Sequence, residues 1–559
     1  MKLKNIYFLL LLIIVTGAGT GCKKFVDVTN PDTLTDPSFW KNENSVRSYN
    51  WEFYNLFNGF GNSTSASGDF YFSWFTDDQA PANFTQFPQT TASSNGSWFF
   101  GYVRKANIML ERIDQVAMSD EAKNHWKAVA HFFRALQYFQ LVQTFGGVPW
   151  LSTSLDISDT TQIYKPRDSH QLVMDSVLAD LNFAVANIRQ TDLANTVNKD
   201  VALALKARVC LFEGTYRKYH TELNLPDADK YLQLAKDAAA AIMARPYNLN
   251  ANYLAAYNSD NLGTDATEIL LYKRYEPGLL MHSTIAYLYS STVLAGLTKS
   301  AVESYLCADG KPISLSPLYQ GDDGITNVVA NRDKRLLYTI DSTYLYYIGH
   351  VKNGLTSTTG YRPMKFLPDS NKLKTINTQI NTNITDAPLF WLSEIYLIYA
   401  EASAELDQMG KYTLTQTDLN NTINKLRVRG KVAPMVLTGS QNPGYTDPKK
   451  DADVTSLIWE IRRERRTELM MDGFRLQDLF RWKKGIYMDS NLNPDSFLGA
   501  KIQPPYGAVR VNAQGYIMPY TVAQQRAFVD PKNYLSAIPT SQILLYPPAT
   551  QATMQNPGW

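Results

Sequence analysis

The stretch SDEAKNHWKAVAHFFRALQYFQLVQTFGGVPW, Ser119 to Trp150, holds a helix that no shallow fold can accommodate. Trp126, Val129, Phe133 and Leu136 recur at three- and four-residue steps, and Ala128, Ala135, Tyr138, Val142 and Phe145 form a second stripe beside them. A helix apolar over so much of its circumference needs neighbours on several sides. Ser119 is placed to cap it, Asp120 and Glu121 suit its positive end, and Gly146-Gly147 with Pro149 ends it. The spacing therefore predicts a central scaffold strut.

More helices of the same kind surround it. The periodicity predicts helices over Arg47–Phe57, Tyr102–Val116, Asp168–Ile188, Val201–Glu213, Asp227–Ala244, Pro388–Met409, Leu414–Arg429 and Val454–Lys484. Asp168 and Gln171 stand in capping-box-like positions. Gly214, Gly410 and Gly430 read as stops. Small residues such as Ala202, Ala204, Ala238, Ala400 and Ala404 fall where these helices would cross. The fold class that follows is mainly α, built of tetratricopeptide-like helical hairpins with large loop-rich insertions. The scaffold occupies about 102–245 and 388–484; the insertions lie at about 59–101 and 247–387, and an irregular wrap covers 485–559.

The insertions differ in character from the frame. Gly59 to Gly101 strings aromatic residues, among them Trp74, Phe75 and Trp98, through Gly, Ser, Asn and Thr without helical period. Such rings either face outward, as in a lid, or pack inward. Asp77-Asp78 sits among them, able to hold a cation or hydrogen-bond a polar ligand. The second insertion carries Tyr275, Tyr287 and Tyr289.

With 559 residues and 45% hydrophobic content the chain can bury a large core, and a net charge of +2 gives no basic face for nucleic acid. Lys2 and Lys4 precede an apolar run, Ile6–Val15, too short to span a bilayer comfortably. Small residues and Cys22 follow, the arrangement of a bacterial lipoprotein signal over 1–21, with Gly19 where leucine is usual. Cleavage there leaves Cys22 as the acylated anchor, the mature chain running from 22 to 559. Cys210 and Cys307 remain; Cys210 lies in an apolar run and reads as a buried small hydrophobe, although a Cys210–Cys307 bridge is open.

Catalytic signatures are scarce. The six histidines form no HExxH pair, and CxxC, GxSxG, Walker and GxGxxG motifs are missing. GDDG at Gly321–Gly324 lacks the other ligands of a calcium loop and reads as a turn. Asp77 and Asp78, being adjacent, are poorly spaced to bracket one glycosidic bond. The charged run of Val454–Lys484 offers pairs at three-residue spacing, Arg465–Glu468, Asp472–Arg475 and Asp478–Arg481. It is either a structural network or an anion-binding patch.

Taken in order, GCKKFVDVTNP, FFRALQYFQLVQTFGGVPW, KPRDSHQLVMDSVLADLNFA, ALKARVCLFEG, LSEIYLIYAEASAEL, IRRERRTELMMDGFRLQDLFRW and the closing IPTSQILLYPPAT resemble the SusD/RagB family of outer-membrane lipoproteins. The resemblance implies a tetratricopeptide-like fold, lipid anchoring through Cys22 at the cell exterior, and no catalysis or cofactor. It implies a SusC-like TonB-dependent transporter as partner and an oligosaccharide as ligand, or a peptide as in some members. It also implies stacking contacts from Trp74, Phe75, Trp98, Tyr275, Tyr287 and Tyr289, beside which Asp77 and Asp78 stand as candidate polar contacts. A lipid-anchored glycoside hydrolase using Asp77 or Asp78 is the competing reading.

Overall fold

The helices that set the frame are α1 (Glu43–Asn50), α2 (Gly101–Arg112), α3 (Asp120–Phe145), α4 (His170–Asn187), α5 (Lys199–Tyr219) and α6 (Ala228–Met243). Beyond them come α7 (Lys299–Ser304), α8 (Lys334–Thr339), α9 (Leu392–Gln408), α10 (Gln416–Asn421), α11 (Ile423–Gly430), α12 (Ser456–Glu468) and α13 (Arg475–Arg481). The computed structural model describes residues 39–61, 75–289, 294–368 and 378–559; Cys22 and Trp74 lie outside these.

Helix α3 is the expected strut. The Ser119 side chain accepts from the Ala122 amide, and the chain leaves through Gly146 at φ 74°, a conformation glycine adopts without Cβ strain. Trp126, Val129, Phe133, Tyr138 and Phe145 are all buried. Inside this apolar surround, Arg134 donates from Nε and Nη2 to the Asp180 carboxylate of α4, at 2.8 and 2.7 Å, and from Nη1 to Asn107 Oδ1 of α2 at 2.7 Å. One guanidinium thus ties three helices together, with its charge compensated and its hydrogen bonds directed.

The helices pack in a row: α2 on α3, α3 on α4, α4 on α5, and α5 on α6. The row then skips the second insertion, and α9 lies beside α6, with α12 on its other side. Small residues permit the close approach. A Cβ on Gly214 would lie 2.8 Å from Leu232 Cγ and 2.9 Å from its amide nitrogen, so α5 passes α6 at a distance that only glycine allows. Gly214 therefore sits inside α5, which continues to Tyr219, and does not end it as its sequence position suggested.

Other boundaries move for identifiable reasons. Ala387–Trp391 forms strand β4 before α9 begins, so Pro388 lies in a strand and not in a helical first turn. It pairs antiparallel with β2 (Ile269–Lys273), Ile269 opposite Trp391 and Lys273 opposite Ala387. A second small ribbon joins β1 (Gln79–Pro81) to β3 (Ala295–Leu297), bringing the two insertions together. The α4 cap is Ser169, which accepts from the Leu172 amide, while Asp168 turns to the Trp150 amide. Arg47–Phe57 is divided between α1 and a 3-10 turn, Trp51–Leu56. Leu414–Arg429 divides at Thr422.

The predicted helix Val454–Lys484 is two helices. Between α12 and α13 the chain takes positive φ at Met471 (67°) and Gly473 (84°). The break redirects the charges: Asp478–Arg481 pairs as spaced, at 2.9 Å, but Arg465 reaches Asp478 at 2.8 Å, Asp472 pairs with Lys365 at 2.7 Å, and Glu468 receives Arg335 and Arg429. The tail returns to the strut, where Arg167 Nη2 and Asn556 Nδ2 donate to the Phe145 carbonyl at 2.8 and 3.1 Å, supplying partners for a helix end that has none within the helix. Cys210 and Cys307 are both free and buried, and burial pushes the Cys210 thiol up to about 12.

Candidate functional site

Between the strut, α5, β4 and the α12–α13 turn lies a cleft of about 900 Å³, within the range of small-molecule sites. The strut supplies Gln137, Gln140 and Thr144, residues three and four apart and hence on one helical face. Helix α5 supplies Leu205, Arg208 and Phe212; the first insertion supplies Phe75, Ser97 and Phe99; Tyr102 comes from α2. Across from them stand Trp391, Phe474, Arg475 and Gln477.

The cleft combines aromatic faces with amides. Phe99 is exposed (51%), while Gln137 is nearly enclosed (5%). The buried oxygens Gln137 Oε1 and Gln477 Oε1, and Arg465 Nη1, have no hydrogen-bond partner among the described residues. Buried polar atoms ordinarily find partners, and these three belong to side chains that line the cleft.

Its charges are already matched. Arg208 grips Glu394 through two 2.7 Å hydrogen bonds, its guanidinium 4.1 Å from the Phe390 ring centre. Asp478 accepts from Arg465 and Arg481. Arg481 also donates to Glu401, whose pKa burial would raise but which that guanidinium, with Arg465 and Arg462, holds down at about 2. Burial raises Asp472 to about 6 against the pull of Lys365 Nζ, 2.7 Å away.

The residues singled out in the sequence scatter. Phe75 lines the cleft, half-buried against Phe87. Trp98 turns inward, edge-on to Phe145 and Phe100 with ring centres 5.1 and 5.4 Å away, while its neighbours Ser97 and Phe99 line the cleft. Tyr275 is buried and donates its hydroxyl to the Phe60 carbonyl at 2.8 Å. Tyr287 is buried, and Tyr289 is half-buried near Arg362.

Asp77 and Asp78 are buried as well, and their carboxylates are occupied. Arg475 holds Asp77 through Nε and Nη2, both at 2.8 Å, and Arg466 Nε holds Asp78 Oδ1 at 2.8 Å. Burial would raise Asp77, but the two guanidiniums outweigh it and hold that carboxyl well below the usual range. This cluster fastens the first insertion to α12 and α13, where sequence position had suggested ligand contact. Among the described residues no three His, Cys, Asp or Glu side chains are grouped to hold a metal ion.

Two features escaped the sequence reading. The amide seam of the strut is legible in retrospect, since Gln137 and Gln140 interrupt an otherwise apolar surface at helical spacing. In the second insertion the ring stack is His350 between Tyr344 and Tyr347, at 4.4 and 4.6 Å with interplanar angles of 10° and 12°, beside the exposed Ile348 and Val351. A local turn makes this stack: Tyr347 and His350 exchange backbone hydrogen bonds across Gly349 at φ 81°.

Comparison with known proteins gives this architecture its context. The profile of the SusD family matches residues 242–559, and one described as starch-binding associating with outer membrane matches 32–211. SusD-like protein P38 of Formosa agariphila is 24% identical over 517 residues, covering 88% of this chain and 94% of that protein. The crystal structure of a SusD-like carbohydrate-binding protein from Bacteroides fragilis superposes with a TM-score of 0.70 at 21% identity, covering 91% of this chain and 99% of that one. A laminarin-binding SusD-like protein superposes at 0.56 with 16% identity, covering 93% and 100%. With more than half of its length matched by that one profile, the chain belongs to the SusD family.

Proposed function

We propose that the protein is an outer-membrane lipoprotein that binds an oligo- or polysaccharide and delivers it to a SusC-like TonB-dependent transporter without cutting it. The observation carrying this reading is the cleft itself, where Phe75, Phe99 and Phe474 offer apolar faces beside the amide side chains of Gln137, Gln140 and Gln477. A ring face covers the C–H face of a sugar while amides meet its hydroxyls. The carboxylates lining the cleft, Asp472 and Asp478, are each engaged by a cation, which favours holding over hydrolysis. The name of the N-terminal profile and the carbohydrate ligands named for related structures point the same way. Acylation at Cys22 would supply the anchor, and the transporter partner and outward orientation follow from the family resemblance.

Soluble protein beginning at Lys23, titrated against neutral oligosaccharides such as laminarin fragments, tests the reading. Binding without product release, weakened about tenfold or more by Phe99→Ala, supports it. Folded protein that ignores a broad glycan array, or that releases labelled fragments, refutes it. Selective binding of a peptide mixture would replace the ligand class.

A further inference from the structure

The turn between α12 and α13 forms one wall of the cleft and contributes Gly473, Phe474 and Gln477 to its lining. Its backbone is costly for a residue with a side chain: Met471 takes φ 67°, in the left-handed region, and Gly473 follows at 84°. Such a conformation persists where surrounding contacts over-determine it. Four of these contacts come from the second insertion. Tyr253 donates its hydroxyl to the Glu468 carbonyl at 2.7 Å, and Tyr257 donates its own to Asp472 Oδ2 at 2.8 Å. Lys365 Nζ donates to the Met470 carbonyl at 2.8 Å and to Asp472 Oδ1 at 2.7 Å. Three side chains thus grip every second residue from 468 to 472. All three are buried, Lys365 Nζ lies 4.0 Å from the Tyr257 ring centre, and none of them lines the cleft.

We infer that Tyr253, Tyr257 and Lys365 are positioning residues for glycan binding: without touching the ligand, they fix the turn that sets Phe474 and Gln477 in the cleft. The inference rests on the glycan reading of that cleft. A wall ordered before the ligand arrives loses no freedom on binding, whereas a loosened one must be ordered at the expense of affinity. Phe474 shows what the turn places, its ring edge-on to Trp391 with centres 5.8 Å apart. Asp472, which burial raises to about 6 against Lys365 and Tyr257, is the acid-sensitive member. Glu468 of α12 also faces it, itself paired with Arg335 and Arg429. A proton taken up by Asp472 removes the charge that holds Lys365, so the turn loosens as pH falls through about 6.

The test compares Tyr257→Phe with Tyr231→Phe in the Lys23-onward protein. Each loses one tyrosine hydroxyl that donates to an aspartate, the second at 2.7 Å to Asp175, away from the cleft. In Tyr257→Phe the amides of 470–474 should exchange hydrogen about tenfold faster than in wild type. Laminarin fragments, the probe, should bind it about fivefold more weakly at neutral pH. Tyr231→Phe should change neither, at a comparable loss of melting temperature. Wild-type affinity should fall as pH drops through about 6, and Tyr257→Phe should move that fall to higher pH, because the lost hydroxyl stabilises the Asp472 carboxylate. Unchanged exchange at 470–474 overturns the proposal whether or not a glycan binds. So does unchanged affinity in Tyr257→Phe where Phe99→Ala weakens binding, an equal loss in Tyr231→Phe, or an acid profile that Tyr257→Phe leaves in place. If wild-type protein ignores laminarin, the failure belongs to the ligand reading, and the exchange comparison alone decides whether these residues fix the turn.

Discussion

Arg335 Nη1 lies 2.7 Å from Glu468 Oε2, joining side chains 133 residues apart at 1% and 0% exposure. The same guanidinium meets Asp333 and Glu464, both at 2.6 Å, and Arg429 adds a second cation to Glu468. Short-range spacing cannot create such a cluster. It fastens α8, in the second insertion, to α12, in the frame.

Removing one member should therefore cost far more than removing a surface pair. Glu468→Gln leaves buried guanidiniums undercompensated and is expected to destabilise by about 3–5 kcal/mol. Lys411→Gln, from a pair with Asp229 in which the lysine is 57% exposed, should change stability by less than about 1 kcal/mol. Urea unfolding of the two variants measures the contrast.

Gly214→Ala should destabilise, although alanine is the better helix former by about 1 kcal/mol. The added methyl would meet Leu232 backbone and side chain at under 3 Å, and overpacking of that kind costs about 1–3 kcal/mol. A higher denaturation midpoint for the variant would contradict the packing described for α5 and α6.

Acid should weaken the fold before most carboxylates titrate. Burial lowers His282 to about 3, and burial with Arg189 lowers His125 to about 4. Both lie below the unfolded value of about 6.5, so the unfolded chain takes up protons that the native chain refuses. Their contribution is complete above pH 6.5 and is lost as pH falls toward 4 and 3, at about 1.4 kcal/mol per pH unit for each. Denaturation midpoints measured between pH 7 and 5 should fall accordingly, and His282→Asn should flatten the slope.

Within the cleft, Gln140→Ala and Phe99→Ala should separate binding from folding. Phe99 is half exposed, so its truncation should leave the melting temperature nearly unchanged while removing a stacking face. Gln140 donates to the Leu56 carbonyl at a long 3.3 Å, so its loss should cost no more than about 1 kcal/mol of stability. Loss of glycan affinity in both, at wild-type stability, is the expected outcome by titration.

The frame was legible because its signals are local. The Ser119 cap, the apolar stripes of α3 and the turn at Gly146 each act within a few residues, and all three appear as the sequence implies. The site was legible only at Phe75. Rings in an aperiodic segment carry no directional signal, so nothing in the chain near Trp98 distinguishes burial against Phe145 from exposure. Asp77 and Asp78 look like ligand groups until Arg466 and Arg475 arrive from about 390 positions away. The spacing rule for α12 failed because it presumed an unbroken helix through Met471 and Gly473.

Strands β2 and β4 clasp the ends of the second insertion, so the chain departs from the row and rejoins it at nearly one point. Everything from 274 to 386 is a detour whose length the helices do not register. Descendants of such a chain could trade one detour for another, changing what is recognised while inheriting the frame intact. The exchange has one electrostatic condition: the newcomer must bring cations to the places of Arg335 and Lys365, or leave Asp472 a lone charge in the dark of the core and Glu468 with Arg429 alone.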